Sequence, residues 1–293
     1  MSEEETVLLV VRVPGTGRGT GGTPEPEDVE MAAAALWAEG ATAVEIRDEA
    51  EGTTLIAGYP TADAARTVAR RLSGGLDARV EAVTDTAWQD AWRAWVHPVP
   101  VGRSLMVVPS WRAVPVDSGR ISLEIDPGAC FGSGTHASTR VLLAWMDGHP
   151  PSGAEVLDVG TGSGILAVAA ARLGARRVTA VDVDPAAVEV TAANAARNRV
   201  TDLVEVSTTP VADLADGCAD LVLVNVTAAT HALLGTHCAR AARPGGTVAV
   251  AGLLPGQWQH VAGAYGGLDE VEQLSLDGWE GAVLRKPVGQ RPR

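Results

Sequence analysis

The 293-residue chain has little sulfur: three cysteines, Cys130, Cys218 and Cys238, with no C-x-x-C pair. That scatter fits a reducing compartment and argues against a zinc site. The histidines outside the Gly/Thr-rich segment discussed below, His97, His149, His231, His237 and His260, show no metal-ligand spacing, so no resident metal is expected. No run of about 18 uncharged apolar residues occurs, so no membrane-spanning helix and no membrane partner are expected. The opening Met1-Ser2-Glu3-Glu4-Glu5 is acidic where a secretion signal is basic, which predicts a cytoplasmic protein. Basic residues are outnumbered 23 to 36, giving a net charge of −13. That sign works against a nucleic-acid partner, because phosphate binding needs clustered Lys and Arg, and it suits the attraction of a basic partner. G-x-S-x-G is absent, so Gly132-Ser133-Gly134 is not a nucleophile elbow.

Against these absences stands Glu155-Val156-Leu157-Asp158-Val159-Gly160-Thr161-Gly162-Ser163-Gly164-Ile165-Leu166, an apolar strand pattern, a glycine-rich turn and the start of an alanine-rich helix. Gly160, Gly162 and Gly164 lack a Cβ, so backbone N–H groups at the helix start can approach a ligand closely. The spacing is G-x-G-x-G, not the dinucleotide G-x-G-x-x-G. The next apolar run, Arg177–Val181, ends in Asp182, and a carboxylate at a strand tip suits the two hydroxyls of a ribose. These features fit S-adenosylmethionine or NAD as cofactor.

The chain is long enough for two domains, with 46% hydrophobic residues to fill their cores. Residues 1–83 alternate as strand Val7–Val13, helix Glu27–Ala38, strands Ala43–Arg47 and Thr54–Ala57, helix Ala62–Leu72 and strand Arg79–Val83. This βαββαβ order predicts a small α+β ferredoxin-like domain without clustered chemistry, suited to substrate recognition, with a loop at Pro14–Pro26. Trp88, Trp92 and Trp95 share one face of a helix in the stretch 84–102, read as a packing seam and linker ended by Pro98 and Pro100. Residues 103–293 alternate strand and helix, which predicts an α/β domain with a mostly parallel sheet. Strands are expected at Ala219–Asn225 and at Thr247–Leu253, the latter after the turn Arg243-Pro244-Gly245-Gly246. Asp277-Gly278 between two apolar runs predicts a closing hairpin and hence a reversed last strand. A class I, Rossmann-like methyltransferase sheet has that outline, and NAD domains usually lack the reversed strand.

The segment Asp126-Pro127-Gly128-Ala129-Cys130-Phe131-Gly132-Ser133-Gly134-Thr135-His136-Ala137-Ser138-Thr139, together with the tryptophan helix and Val108-Pro109-Ser110-Trp111, resembles the PrmA family. These enzymes methylate a large-subunit ribosomal protein. The resemblance runs to Gly278-Trp279-Glu280 and beyond, and implies protein N-methylation at lysine or N-terminal amines with S-adenosylmethionine as cofactor. It implies a cofactor site at Thr139, Gly160, Asp182 and Asn225, to which the glycine loop adds Gly162 and Gly164, with Asn225 at the reacting centre. The partner implied is a basic ribosomal protein; another protein or a small amine metabolite is the alternative. The family usually continues after the Asn with Ile/Leu-Leu-Ala, whereas this chain has Val226-Thr227-Ala228, so Thr227 replaces an apolar side chain. No Pro-Pro-aromatic follows Asn225, which disfavours a flat base or amide as acceptor. His136 reads either as a general base or as a residue that orders its own segment through a ring hydrogen bond.

Overall fold

The computed structural model of the chain describes residues 7–13, 29, 32–33, 35–36, 39–41, 43–49, 52–59, 62–72, 77–82, 97–113, 119–128, 130, 132 and 134–288. Two units emerge, Met1–Trp95 and Val96–Arg293. The tryptophan helix and the loop Pro14–Pro26 lie outside the described residues.

In the first unit, β1 (Val7–Val13), β2 (Ala43–Glu49), β3 (Gly52–Tyr59) and β4 (Asp77–Ala82) form an antiparallel sheet in the order β2-β3-β1-β4. Period-two alternation puts Leu9, Val11, Leu55, Ala57 and Tyr59 on one face. They pack against helical Val29, Ala32 and Leu36 and against Ala65 and Val68 of α1 (Ala62–Leu72). The buried Tyr59 hydroxyl donates to the Leu36 carbonyl at 3.2 Å, so the tyrosine keeps its polar end satisfied inside the core.

The second unit opens with a feature the sequence reading did not separate. β5 (Val99–Val101), which falls in the stretch read as linker, pairs antiparallel with β6 (Leu105–Pro109), and β6 pairs parallel with β7 (Ile121–Ile125). These strands make their own small sheet, whose Val101, Leu105, Val107, Leu123 and Ile125 join the main core. After α2 (Ala137–Gly148) the chain winds the large sheet: β8 (Glu155–Val159), α3 (Ile165–Arg172), β9 (Arg177–Val181), α4 (Pro185–Arg197), β10 (Val204–Ser207), β11 (Ala219–Asn225), α5 (Ala228–Ala241) and β12 (Ala242–Leu253). The short α6 (Gln257–Val261) and the hairpin β13 (Asp269–Leu276) and β14 (Trp279–Arg285) finish it.

The strand order is β10-β9-β8-β11-β12-β14-β13, parallel through β12 with β14 antiparallel between β12 and β13. This is the class I methyltransferase sheet with its reversed last strand. Asp277 and Gly278 take φ of 46° and 77°, the positive pair a two-residue hairpin needs to match strand twist. β12 begins earlier than expected: Ala242 pairs with Ala219, and the Arg243–Gly246 turn sits inside the strand as an irregularity before Thr247 pairs with Leu221. Lys286, just beyond β14, donates its Nζ to the carbonyls of Ala239, Arg240 and Ala242 at 2.7–3.1 Å, which satisfies carbonyls that end α5 without helical partners.

Alternation along β8 divides the core: Val156 packs with α2 and α3, while Leu157 and Val159 face α5 and α6 on the other side. α3 has eight residues, fewer than the roughly 12–15 at which an isolated helix becomes even marginal. Its residues Ile165–Ala171 are all buried, so packing holds it together.

Two asparagines, Asn194 on α4 and Asn198 at its C-cap, replace missing strand pairing beside β7. Asn198 accepts from Glu124 N at 2.9 Å and donates to Glu124 O at 2.7 Å; Asn194 accepts from Asp126 N at 3.0 Å and donates to Asp126 O at 2.8 Å. Asn194 also donates to Ser163 O at 2.8 Å, so one fully buried amide joins α4, the end of β7 and the glycine loop. Asn194→Ala is expected to leave buried backbone groups unpaired and cost about 2–4 kcal/mol of stability, read as a lowered urea midpoint.

Candidate functional site

The turn after β8 follows from its glycines. Gly160, Gly162 and Gly164 have φ of 70°, 54° and 79°, the left-handed region that side chains penalise. A Cβ on Gly160 would lie 2.8 Å from Val226 Cγ1, so the loop can press against the end of β11 only as glycine. Gly160 N and Thr161 N both donate to Val181 O, which seats the loop on the tip of β9.

Asp182, just beyond β9, accepts from Gly162 N at 3.0 Å through one carboxylate oxygen and from Asp184 N at 3.1 Å through the other. Each oxygen keeps a lone pair for a further donor. Asp184 caps α4 by accepting from Ala186 N, with Pro185 preset for the first turn.

Thr139 lies in the first turn of α2 and is fully buried; Asn225 ends β11. Across 86 residues of chain, Asn225 Nδ2 donates to Thr139 Oγ1 at 3.1 Å. Asn225 Oδ1 is buried and accepts no hydrogen bond. Gly252, φ 90°, backs the same amide: a Cβ there would overlap Val226 O and stand 3.0 Å from Asn225 Oδ1.

His136 is the N-cap of α2, its Nδ1 2.8 Å from Ser138 Oγ and accepting from Ser138 N at 3.4 Å. Its ring meets Trp279 edge-on at 4.5 Å, and burial lowers its pKa to about 4. The ring is therefore neutral at pH 7 and able to accept at a helix N-terminus. The ordering reading fits this geometry, and a base of that strength is far too weak for an ammonium near 10. Thr227 is exposed and caps α5, its Oγ1 accepting from Thr230 N, so the departure at this position has a local helical cause.

Thus Thr139, Gly160, Gly162, Gly164, Asp182 and Asn225 converge at the carboxyl ends of β8, β9 and β11 and the start of α2. Two contributors escaped the sequence reading. Asn194 braces the loop as described above. Asp158, the last inward position of β8, is buried and ties the turn to α3: one carboxylate oxygen accepts from Thr161 Oγ1 at 2.7 Å and from Ala167 N at 3.1 Å, and the other is unpartnered. The available signal was an acid amid the apolar run Val156–Val159. Among the described residues no cluster of His, Cys, Asp and Glu could hold a metal, and no helix is long and apolar enough to cross a membrane. The three cysteines are free thiols.

Burial raises Asp158 to a pKa of about 7, outweighing its two hydrogen bonds, and the nearby Asp182 charge adds to the rise. A carboxyl whose folded pKa lies above its unfolded value of about 3.9 favours folding fully below that value, and its contribution is lost as pH rises through about 7. Stability of the free protein is therefore expected to fall between about pH 4 and 7, by a few kcal/mol at most, and Asp158→Asn to remove most of that slope in thermal melts.

Comparison with known proteins follows the same lines. The family model described as ribosomal protein L11 methyltransferase (PrmA) matches residues 24–287. The chain is 41% identical over 215 residues to the ribosomal protein L11 methyltransferase of Pelotomaculum thermopropionicum, covering 70% of each chain. It is 41% identical over 202 residues to the Shewanella halifaxensis protein of the same name, covering 69% of this chain and 68% of that one. The crystal structure of a ribosomal protein L11 methylase from Lactobacillus delbrueckii subsp. bulgaricus superposes with a TM-score of 0.58 at 28% identity, covering 66% of this chain and 99% of that one. With the glycine loop, the strand-end asparagine and the reversed last strand in place, the chain belongs to the ribosomal protein L11 methyltransferase (PrmA) family.

Proposed function

We propose that the protein is an S-adenosylmethionine-dependent N-methyltransferase acting on lysine or N-terminal amines of ribosomal protein L11, with the first unit presenting that basic substrate to the second. The observation that carries the reading is the bare Asn225 Oδ1, a buried acceptor with no donor. Such an atom costs about 1–3 kcal/mol unless something supplies an N–H. An amine does so.

Its neighbours fit the cofactor. Gly160, Gly162 and Gly164 leave the loop free of Cβ atoms, and the Asp182 lone pairs suit a ribose diol. Thr139 orients the amide of Asn225 and keeps its own hydroxyl hydrogen to donate toward the methionine end. When bound, S-adenosylmethionine supplies an electrophilic methyl on a cationic sulfur.

With Nδ2 oriented by its bond to Thr139, the amide presents its unpartnered oxygen to the acceptor. One N–H of the amine on Asn225 Oδ1 then fixes the direction of the nitrogen lone pair. The amine must first lose a proton, at about 4.6 kcal/mol for a lysine of pKa near 10.4 and about 1 kcal/mol for an α-amino group near 7.7, at pH 7. Desolvation beside a buried amide lowers the first figure. Bound along the glycine loop and Asp182, S-adenosylmethionine would supply the methyl to the amine nitrogen held at Asn225 Oδ1, and the extra N–H proton of the product amine would leave to water. Alignment is the main contribution, worth roughly 7–11 kcal/mol when good.

Incubation with labelled S-adenosylmethionine and unmodified L11 is expected to label L11; label confined to other acceptors would overturn the substrate assignment. Asn225→Ala is expected to lower kcat about 10²–10³-fold, the scale of losing one aligned polar group. His136→Gln is expected to leave the shape of the kcat/KM pH profile unchanged, since a neutral N-cap does not titrate with the reaction.

A further inference from the structure

His231, on α5, is fully buried although it is a titratable group that the reaction does not use. Its imidazole is bracketed: Nδ1 lies 2.6 Å from Tyr265 Oη and Nε2 lies 2.8 Å from Ala251 O. A carbonyl can only accept, so Nε2 carries the hydrogen and donates to Ala251, while Nδ1 accepts from the tyrosine hydroxyl. Tyr265 is itself 2% exposed and packs at 5.9 Å against Trp258, and the backbone of Val226 also acts on the imidazole. Burial lowers the His231 pKa, which keeps the ring in the neutral form this arrangement needs.

The point it grips is informative. Ala251 is the register partner of Asn225 across the β11–β12 pair. The next residue is Gly252, whose close approach to Val226 O and Asn225 Oδ1 leaves no room for a side chain. A hydrogen bond to Ala251 O therefore sets where the end of β12 stands against the Asn225 amide. The main chain of His231 also donates to Thr227 O at 2.9 Å, within the turn that follows β11. One residue thus joins the ends of both strands.

We infer that His231, held by the Tyr265 hydroxyl, is a positioning residue that fixes the Asn225 amide for the incoming amine. This rests on the methyltransferase reading above, and the test separates the two. His231→Leu removes both hydrogen bonds at similar volume, His231→Gln keeps one N–H and one acceptor, and Tyr265→Phe removes the hydroxyl alone. In the full chain the Asn225 side-chain amide gives a ¹H–¹⁵N signal, assigned with Asn225→Asp, that needs no substrate. In His231→Leu that signal is expected to shift or broaden, and kcat to fall on the order of tenfold, because small misplacements of a reacting group are costly. KM for S-adenosylmethionine is expected to stay within about twofold, and His231→Gln to restore at least about half of kcat, a split that lost folding alone does not produce. Wild-type values of both the amide signal and kcat in His231→Leu would overturn the proposal. If that variant fails to fold, as read by near-ultraviolet circular dichroism, Tyr265→Phe takes its place under the same criterion. A shifted amide signal in a protein that does not methylate L11 would uphold the positioning role and sink the functional reading.

Discussion

The parallel pairing of β8 with β11 is the constraint from which the site follows. From β8 the chain winds outward to β9 and β10, then returns to place β11 on the other side of β8 and continues outward through β12. The two crossovers part at that junction, and in open α/β sheets the carboxyl ends of the strands at such a point are where ligands bind. Gly160 stands at one end and Asn225 at the other, with a glycine needed because Val226 comes too close for anything larger. α2 then closes over the junction, its Thr139 hydroxyl receiving the Asn225 amide.

Buried polar atoms set the energetics of this junction. Asp158 and Asn225 each leave one buried oxygen unpartnered, and the glycine turn holds three residues at positive φ. Unpaired buried acceptors destabilise the free protein. The surrounding network offsets this: Asn194 on three backbone groups, His136 and Thr227 capping their helices, and the His231–Tyr265 pair behind β12. Local cost concentrated at one junction, with hydrogen-bonded residues around it, is the pattern expected of the proposed binding site.

What could be read from the sequence was what is local in it. Glycine spacing, an acid at the end of an apolar run and Asp-Gly between two strands each have a cause within a few residues, and Gly160–Gly164, Asp182 and the β13–β14 hairpin appear where those causes place them. The small β5–β7 sheet did not show, because strands of three to five residues carry too short a pattern to tell from a loop. Asn194 and Asn198 looked like ordinary polar positions on a helix, since their partners lie 68 and 74 residues away. The role of Asp158 depends on which face of β8 is covered, and that is set by helices distant in the chain. Thr227 showed only as a polar replacement for an apolar side chain; that it caps α5 depends on where the helix begins.

Lys286 carries a consequence for the reaction itself. It is the chain's only lysine, every other cation among the Lys and Arg residues being arginine. Its ammonium is committed to three carbonyls at the end of α5, and a nitrogen so engaged has no free lone pair while it stays protonated. An enzyme proposed to modify lysine amines thus carries a single lysine of its own, and that one is tied to the backbone where α5 meets β12.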